Sequence, residues 1–123
     1  ELVVKQYLEK NQIQDAVVIA GTIVDKESRE VSFSNIANAC IAKENFEEAI
    51  LYSQQAGPLQ SSILMSIVKH HSKTGKLPDA IAIAESIQNP TMKASAYEAI
   101  SRAYFNKGNF EEAILFAKKT DQA

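Results

Sequence analysis

Few side chains in this sequence can do chemistry, and their spacing does not assemble them into a reaction centre. The only thiol is Cys40, and the only imidazoles are the neighbours His70 and His71. A reactive cysteine needs a base and an electropositive, exposed setting, and nothing around Cys40 supplies either. Adjacent histidines on a helix point about 100° apart, so they cannot share a metal as an i, i+4 pair can. Glu47 and Glu48 face apart for the same reason. There is no glycine-rich phosphate loop, no Ser-His-Asp order and no zinc spacing. An enzyme is not expected, and neither a cofactor nor a metal is implied. What recurs is a set of hydrogen-bond donors, Lys5, Asn38, Lys69 and Arg102, at intervals of 33, 31 and 33 residues. Cations and amides of this kind hold carboxylates through charge-assisted hydrogen bonds.

That rhythm belongs to the whole chain. Ala16, Ala49, Ala80 and Ala113 keep the same intervals, each between an acid and an aliphatic residue: Asp15 and Val17, Glu48 and Ile50, Asp79 and Ile81, Glu112 and Ile114. Such self-similarity means one supersecondary unit stacked several times. Three residues before each alanine stand Ile13, Phe46, Leu77 and Phe110; four after stand the small residues Ala20, Ser53, Ala84 and Ala117. Apolar positions at −3, 0, +1 and +4 make one stripe on a helix of 3.6 residues per turn. This is helix B of each unit, with its acid in the first turn, where the helix dipole favours it.

A second stripe lies upstream. Nine residues before the alanines are Tyr7, Cys40, His71 and Tyr104; thirteen before are Val3, Ile36, Ile67 and Ile100; sixteen before are Phe33, Leu64 and Tyr97. These form helix A, the first of them spanning Glu1 to Lys10. His71 and Cys40 share a core column with tyrosines and are read as packing residues. Lys10-Asn11, Glu44-Asn45, Thr74-Gly75-Lys76 and Lys107-Gly108-Asn109 break the helices, glycine suiting a left-handed helix end. The links Asp25-Lys26-Glu27, Gly57-Pro58 and Asn89-Pro90 join each B helix to the next A, and a shorter middle link accounts for the 31-residue interval. The expected fold is all-α: an α-α superhelix, or solenoid, of about four helical hairpins with eight helices and no strands. One repeat domain over residues 1–123 is expected, with repeats at approximately 1–25, 26–57, 58–89 and 90–123.

Bulk properties narrow the function. The chain has 123 residues, 46% of them hydrophobic, and a net charge of −2. That is enough to bury a core and lacks the basic excess of a general nucleic-acid binder. The longest apolar stretch, near Ala16 to Val24, is about half the ~20 residues of a membrane crossing. One cysteine excludes an internal disulfide and fits a reducing compartment, so a cytoplasmic address is favoured. The chain opens on Glu1 and not on Met, and is expected to be a fragment of a longer one.

These columns resemble tetratricopeptide repeats. The last copy matches best, through Tyr97, Ile100, Tyr104, Gly108, Phe110, Ala113 and Ile114. The copy at Ala80 follows through Leu64, Ile67, Gly75 and Leu77, and the copy at Ala49 through Phe33, Ile36 and Phe46. The intervals are shorter than the family's ~34 residues. The small mid-helix position is Val4, Ala37, Val68 and Ser101, so two copies depart from it.

The resemblance implies a concave groove, lined by A helices, that binds a peptide or helix of a partner protein. Lys5, Asn38, Lys69 and Arg102 would form a ladder there, with Asn35 and Lys73 one turn away. It is similar to the carboxylate clamp of chaperone-binding members without reproducing it, and would suit an acidic segment or a C-terminal carboxylate. Ile41 and Phe105, with Leu8 and Met65, are the apolar candidates; Phe105 either anchors a ligand or is covered by a further helix. Two other readings stand beside this one. In the first the chain is a structural module that self-associates, with Leu115 and Phe116 pairing between copies. In the second it is a regulatory arm of a larger enzyme. RNA binding would need a basic surface and longer repeats.

Overall fold

The computed structural model describes residues 2–122. Among these the chain forms eight α-helices and no strand: α1 (Leu2–Glu9), α2 (Ile13–Gly21), α3 (Lys26–Ala42), α4 (Phe46–Ser53), α5 (Gln60–Lys73), α6 (Leu77–Ser86), α7 (Pro90–Asn106) and α8 (Phe110–Gln122). A single 3-10 turn, Gly57–Leu59, leads into α5. The fold class is all-α, as the periodicity predicts. Glu1, assigned to the first helix from sequence, lies outside the described residues. The 31-residue interval arises where α4 has eight residues, against nine in α2 and ten in α6, and where the 3-10 turn replaces an ordinary first turn.

All four A helices end in the same way, and this is what makes the hairpins. Asn11 (φ 64°), Glu44 (φ 62°), Gly75 (φ 82°) and Gly108 (φ 82°) adopt the left-handed conformation five residues before each signature alanine. The next residue then donates its N–H back into the helix: Gln12 to the Tyr7 carbonyl at 2.8 Å, Asn45 to Cys40 at 2.9 Å, Lys76 to His71 at 2.9 Å and Asn109 to Tyr104 at 2.9 Å. This is the six-to-one bond of a Schellman cap, which satisfies a carbonyl the helix end would leave orphaned. The same residues open helix B, since the amides of Ala16, Ala49, Ala80 and Ala113 donate to the carbonyls of Gln12, Asn45, Lys76 and Asn109. One short segment thus closes one helix and starts the next.

The A helices begin on side-chain caps where the sequence offers them. The amide of Ser28 donates to Asp25 Oδ2 at 2.9 Å, and this bond holds the Asp25 carboxyl below its usual range. The amide of Met92 donates to Asn89 Oδ1 at 3.1 Å, with Pro90 at the first helical position, where no N–H is missed.

The chain falls into two compact units, Glu1–Ile63 and Leu64–Ala123, the boundary lying within α5. In the first, α1 packs on α2, α3 on α4, and α3 also on both helices of the preceding hairpin. In the second, α7 packs on α8 and on α6. The alanine column explains the close approach: Ala16, Ala49 and Ala80 are fully buried and Ala113 nearly so. Ile36, Ile67 and Ile100 are also fully buried, and truncating a buried isoleucine costs about 2–5 kcal/mol. In the last hairpin Phe116 stacks on Tyr104 (5.7 Å, 18°) and tilts against Tyr97 (6.0 Å), while Ser101 Oγ donates to the Ala113 carbonyl at 2.6 Å.

Candidate functional site

The groups that looked reactive in sequence are structural. Cys40 is fully buried, and burial pushes its thiol above the ordinary value, which disfavours the nucleophilic thiolate. His71 is buried in the same column, and burial lowers its pKa despite the nearby charge of Asp79. His70 is half-buried, its ring edge-on to His71 at 5.9 Å. Among the described residues no cluster of histidine, cysteine and carboxylate side chains could hold a metal, and no helix is long and apolar enough to cross a membrane.

A cleft opens within the second unit between α5 and α7. Its volume is about 800 Å³, and Lys69, Ser72 and Lys73 face Arg102, Asn106 and Lys107 across it, above the small residues Ala99 and Ala103. Among the described residues no carboxylate lines it. The Ser72 hydroxyl is shielded from solvent and has no hydrogen-bond partner among the described residues. Among the described residues Arg102 is the one lining cation seen in an ion pair, with Glu98 at 3.1 Å, one turn away on the exposed side of α7. A guanidinium carries five N–H donors, so this pair leaves donors to spare. The alanines let α5 and α7 carry their cations toward one space without filling it.

Three of the sequence candidates, Lys69, Lys73 and Arg102, therefore line one cleft. Lys107 joins them and was missed, because it sits in a turn that reads as a helix breaker. Its column, Lys10, Lys43, Thr74 and Lys107, is cationic in three copies and was the available signal. Lys5 and Asn38 are exposed on α1 and α3 of the first unit; Asn35 and Ile41 are half-buried on α3.

Phe105 lies elsewhere. With Phe110, Ile114 and Ala117 it lines an apolar cleft of about 410 Å³ between α7 and α8, and its ring meets Phe110 edge-on at 5.3 Å. Leu8, Ile41 and Ser72 occupy its column in the other hairpins and are half-buried. One expectation needs correcting. Phe116 was paired with Leu115 as a contact between copies, but it is only 6% exposed and lies within the aromatic stack of its own hairpin. Leu115 itself belongs to a column the periodicity hid: Val18, Leu51, Ala82 and Leu115 are apolar and exposed in every hairpin.

No protein-family profile matches the chain, and no curated protein matches it significantly. Among solved structures it is similar to two of a Podosopora anserina protein, assigned as a kinesin light chain with nearly identical TPR-like repeats, one of them a single-substitution variant. Identity is 17% to the variant and 18% to the other; the matches cover 97% and 96% of this chain and 70% of each of those, with a TM-score of 0.48 in both. The hairpins are tetratricopeptide-like. The chain's own geometry carries that description: four A–B hairpins, one cap, one alanine at each crossing.

Proposed function

We propose that this chain is a non-catalytic interaction scaffold that holds an acidic segment of a partner protein in the cleft between α5 and α7. The observation that carries the reading is the gathering of Lys69, Lys73, Arg102 and Lys107 around one open cleft with no acid in its lining, in a chain whose net charge is −2. Each of these cations is solvent-exposed, so any one contributes little alone, and binding rests on several acting together. Asn106, exposed at the same cleft, adds a neutral donor that fixes the register of a peptide lying across it.

The test uses a defined acidic peptide, a run of glutamates with blocked ends, titrated against the labelled chain by NMR. Amide shifts are expected to concentrate on Lys69, Lys73, Arg102 and Lys107 and to fade at high salt, as screening requires. Lys69→Glu combined with Arg102→Glu should abolish them while leaving helicity intact. Equal binding by the double variant would end the proposal.

A further inference from the structure

Residues of one repeat column lie at one height in successive hairpins, and this gives the α5–α7 cleft an internal spacing. Lys69 and Arg102 both stand eleven residues before their signature alanines, Ala80 and Ala113; Lys73 and Asn106 both stand seven before. Within the second unit α5 and α7 are each followed by a short turn and a B helix, so both run in the same direction. Lys69 on one wall is therefore level with Arg102 on the other, and Lys73 with Asn106, Lys107 standing beside it. On each helix the two positions are four residues apart. The helical rise then separates the two levels by about 6 Å.

Both levels carry cations, and all five of these side chains are exposed. At the first level the Arg102 guanidinium faces the Lys69 ammonium; at the second, Lys73 and Lys107 flank the Asn106 amide. Thr74, the counterpart of Lys107, is turned to its own helix: its hydroxyl donates to the His70 carbonyl at 3.1 Å and the His71 carbonyl at 3.3 Å. Between the levels stand Ser72, whose hydroxyl is shielded from solvent, and Ala103. The cleft thus offers two separate places for an anion and not one continuous strip.

We propose that the cleft selects an acid-x-acid pattern: an extended segment of the partner lies lengthwise along α5 and α7 and sets one carboxylate at each level. This rests on the acidic-segment reading above and adds the spacing that the segment must have. In an extended chain the side chains at i and i+2 share a face about 6–7 Å apart, whereas neighbours face opposite ways. A helix brings i and i+4 to nearly the same separation, but its backbone groups are spent on its own hydrogen bonds. The Asn106 amide both donates and accepts, and it finds backbone partners only on an extended segment.

The experiment titrates the chain with blocked peptides of one neutral glycine-serine host and reads dissociation constants from the amide shifts. One peptide carries two glutamates side by side, one has them separated by a single residue, and one by three. All three have the same charge, so only spacing differs. The single-residue gap is expected to bind about three- to fivefold more tightly than the other two, the worth of a second exposed ion pair. Lys73→Gln combined with Lys107→Gln clears the second level, and should erase that preference while the Lys69 and Arg102 amides still shift. Equal affinity for the three peptides, a preference for the longer gap, or a preference that survives the double variant would each overturn the proposal. The acidic-segment reading would outlast those results as long as the glutamate run still bound. A glutamate run that leaves the cleft amides unmoved would end both.

Discussion

The two units close their hairpins with the same hydrogen bond but with different residues. The second unit uses Gly75 and Gly108, the first uses Asn11 and Glu44, and all four have positive φ. Asparagine visits this conformation at modest cost and glycine at none, whereas for glutamate it is strained by about 1–2 kcal/mol. The repeat therefore demands the capping bond, and glycine is only the easiest residue for making it. Glu44 is held there by its surroundings: the Ile41 carbonyl accepts its N–H at 2.9 Å, and Asn45 bonds back to Cys40.

The comparison can be sharpened first through the core. Ile36→Ala in the first unit and Ile100→Ala in the second should each cost about 2–5 kcal/mol in urea unfolding, and Val3→Ala, same column but half exposed, well under about 1 kcal/mol. Similar losses at all three would mean that the column does not report packing. Next come the caps. Gly108→Ala should destabilise by about 1 kcal/mol for conformational reasons alone, because a Cβ there would meet nothing within 4 Å. Glu44→Gly should raise the urea midpoint by a comparable amount, less whatever the Glu44 carboxylate contributes. A fall in that midpoint would break the account of the first unit's caps.

A smaller effect distinguishes the buried column. Burial holds His71 below the ordinary imidazole value of 6.5, so the folded chain resists protonation more than the unfolded chain does. Its contribution to stability is then complete above that value and is lost as pH falls from there through the lower folded pKa. His71→Tyr, which installs the residue found in this column at Tyr7 and Tyr104, should flatten the fall in stability between about pH 7 and about pH 5. A slope identical to wild type would place the titration elsewhere. The least effect belongs to the exposed pair on α7: Glu98→Gln should change stability by no more than about 0.5 kcal/mol. It should also tighten acidic-peptide binding slightly by releasing Arg102.

Much of the fold could be read from residue types alone. Helix existence, the pairing into hairpins and the positions of the turns follow from local rules, namely the 3.6-residue period, acids in first turns and breakers at fixed offsets. The turn at Glu44 shows how far this reaches: glycine is absent, yet the columns on either side place the cap correctly. The cleft was half legible. Lys69 and Arg102 stood out because cations recur at their position on helix A, and Lys73 because it lies one turn beyond Lys69. Lys107 was not, because a lysine beside a glycine reads as punctuation.

The sequence by itself determined that this chain repeats a helical hairpin, since capping bonds and hydrophobic periodicity act over a few residues and need no distant partner. Only the tertiary structure decided which member of each column is covered. Val3 and Ile36 carry the same chemistry at the same position, but burial depends on a neighbouring helix being there to exclude water. The same holds for Phe105 and Phe116, both aromatic on the last hairpin: one lies open beside Phe110 and the other is stacked against Tyr104. Periodicity along one helix cannot report what packs against it.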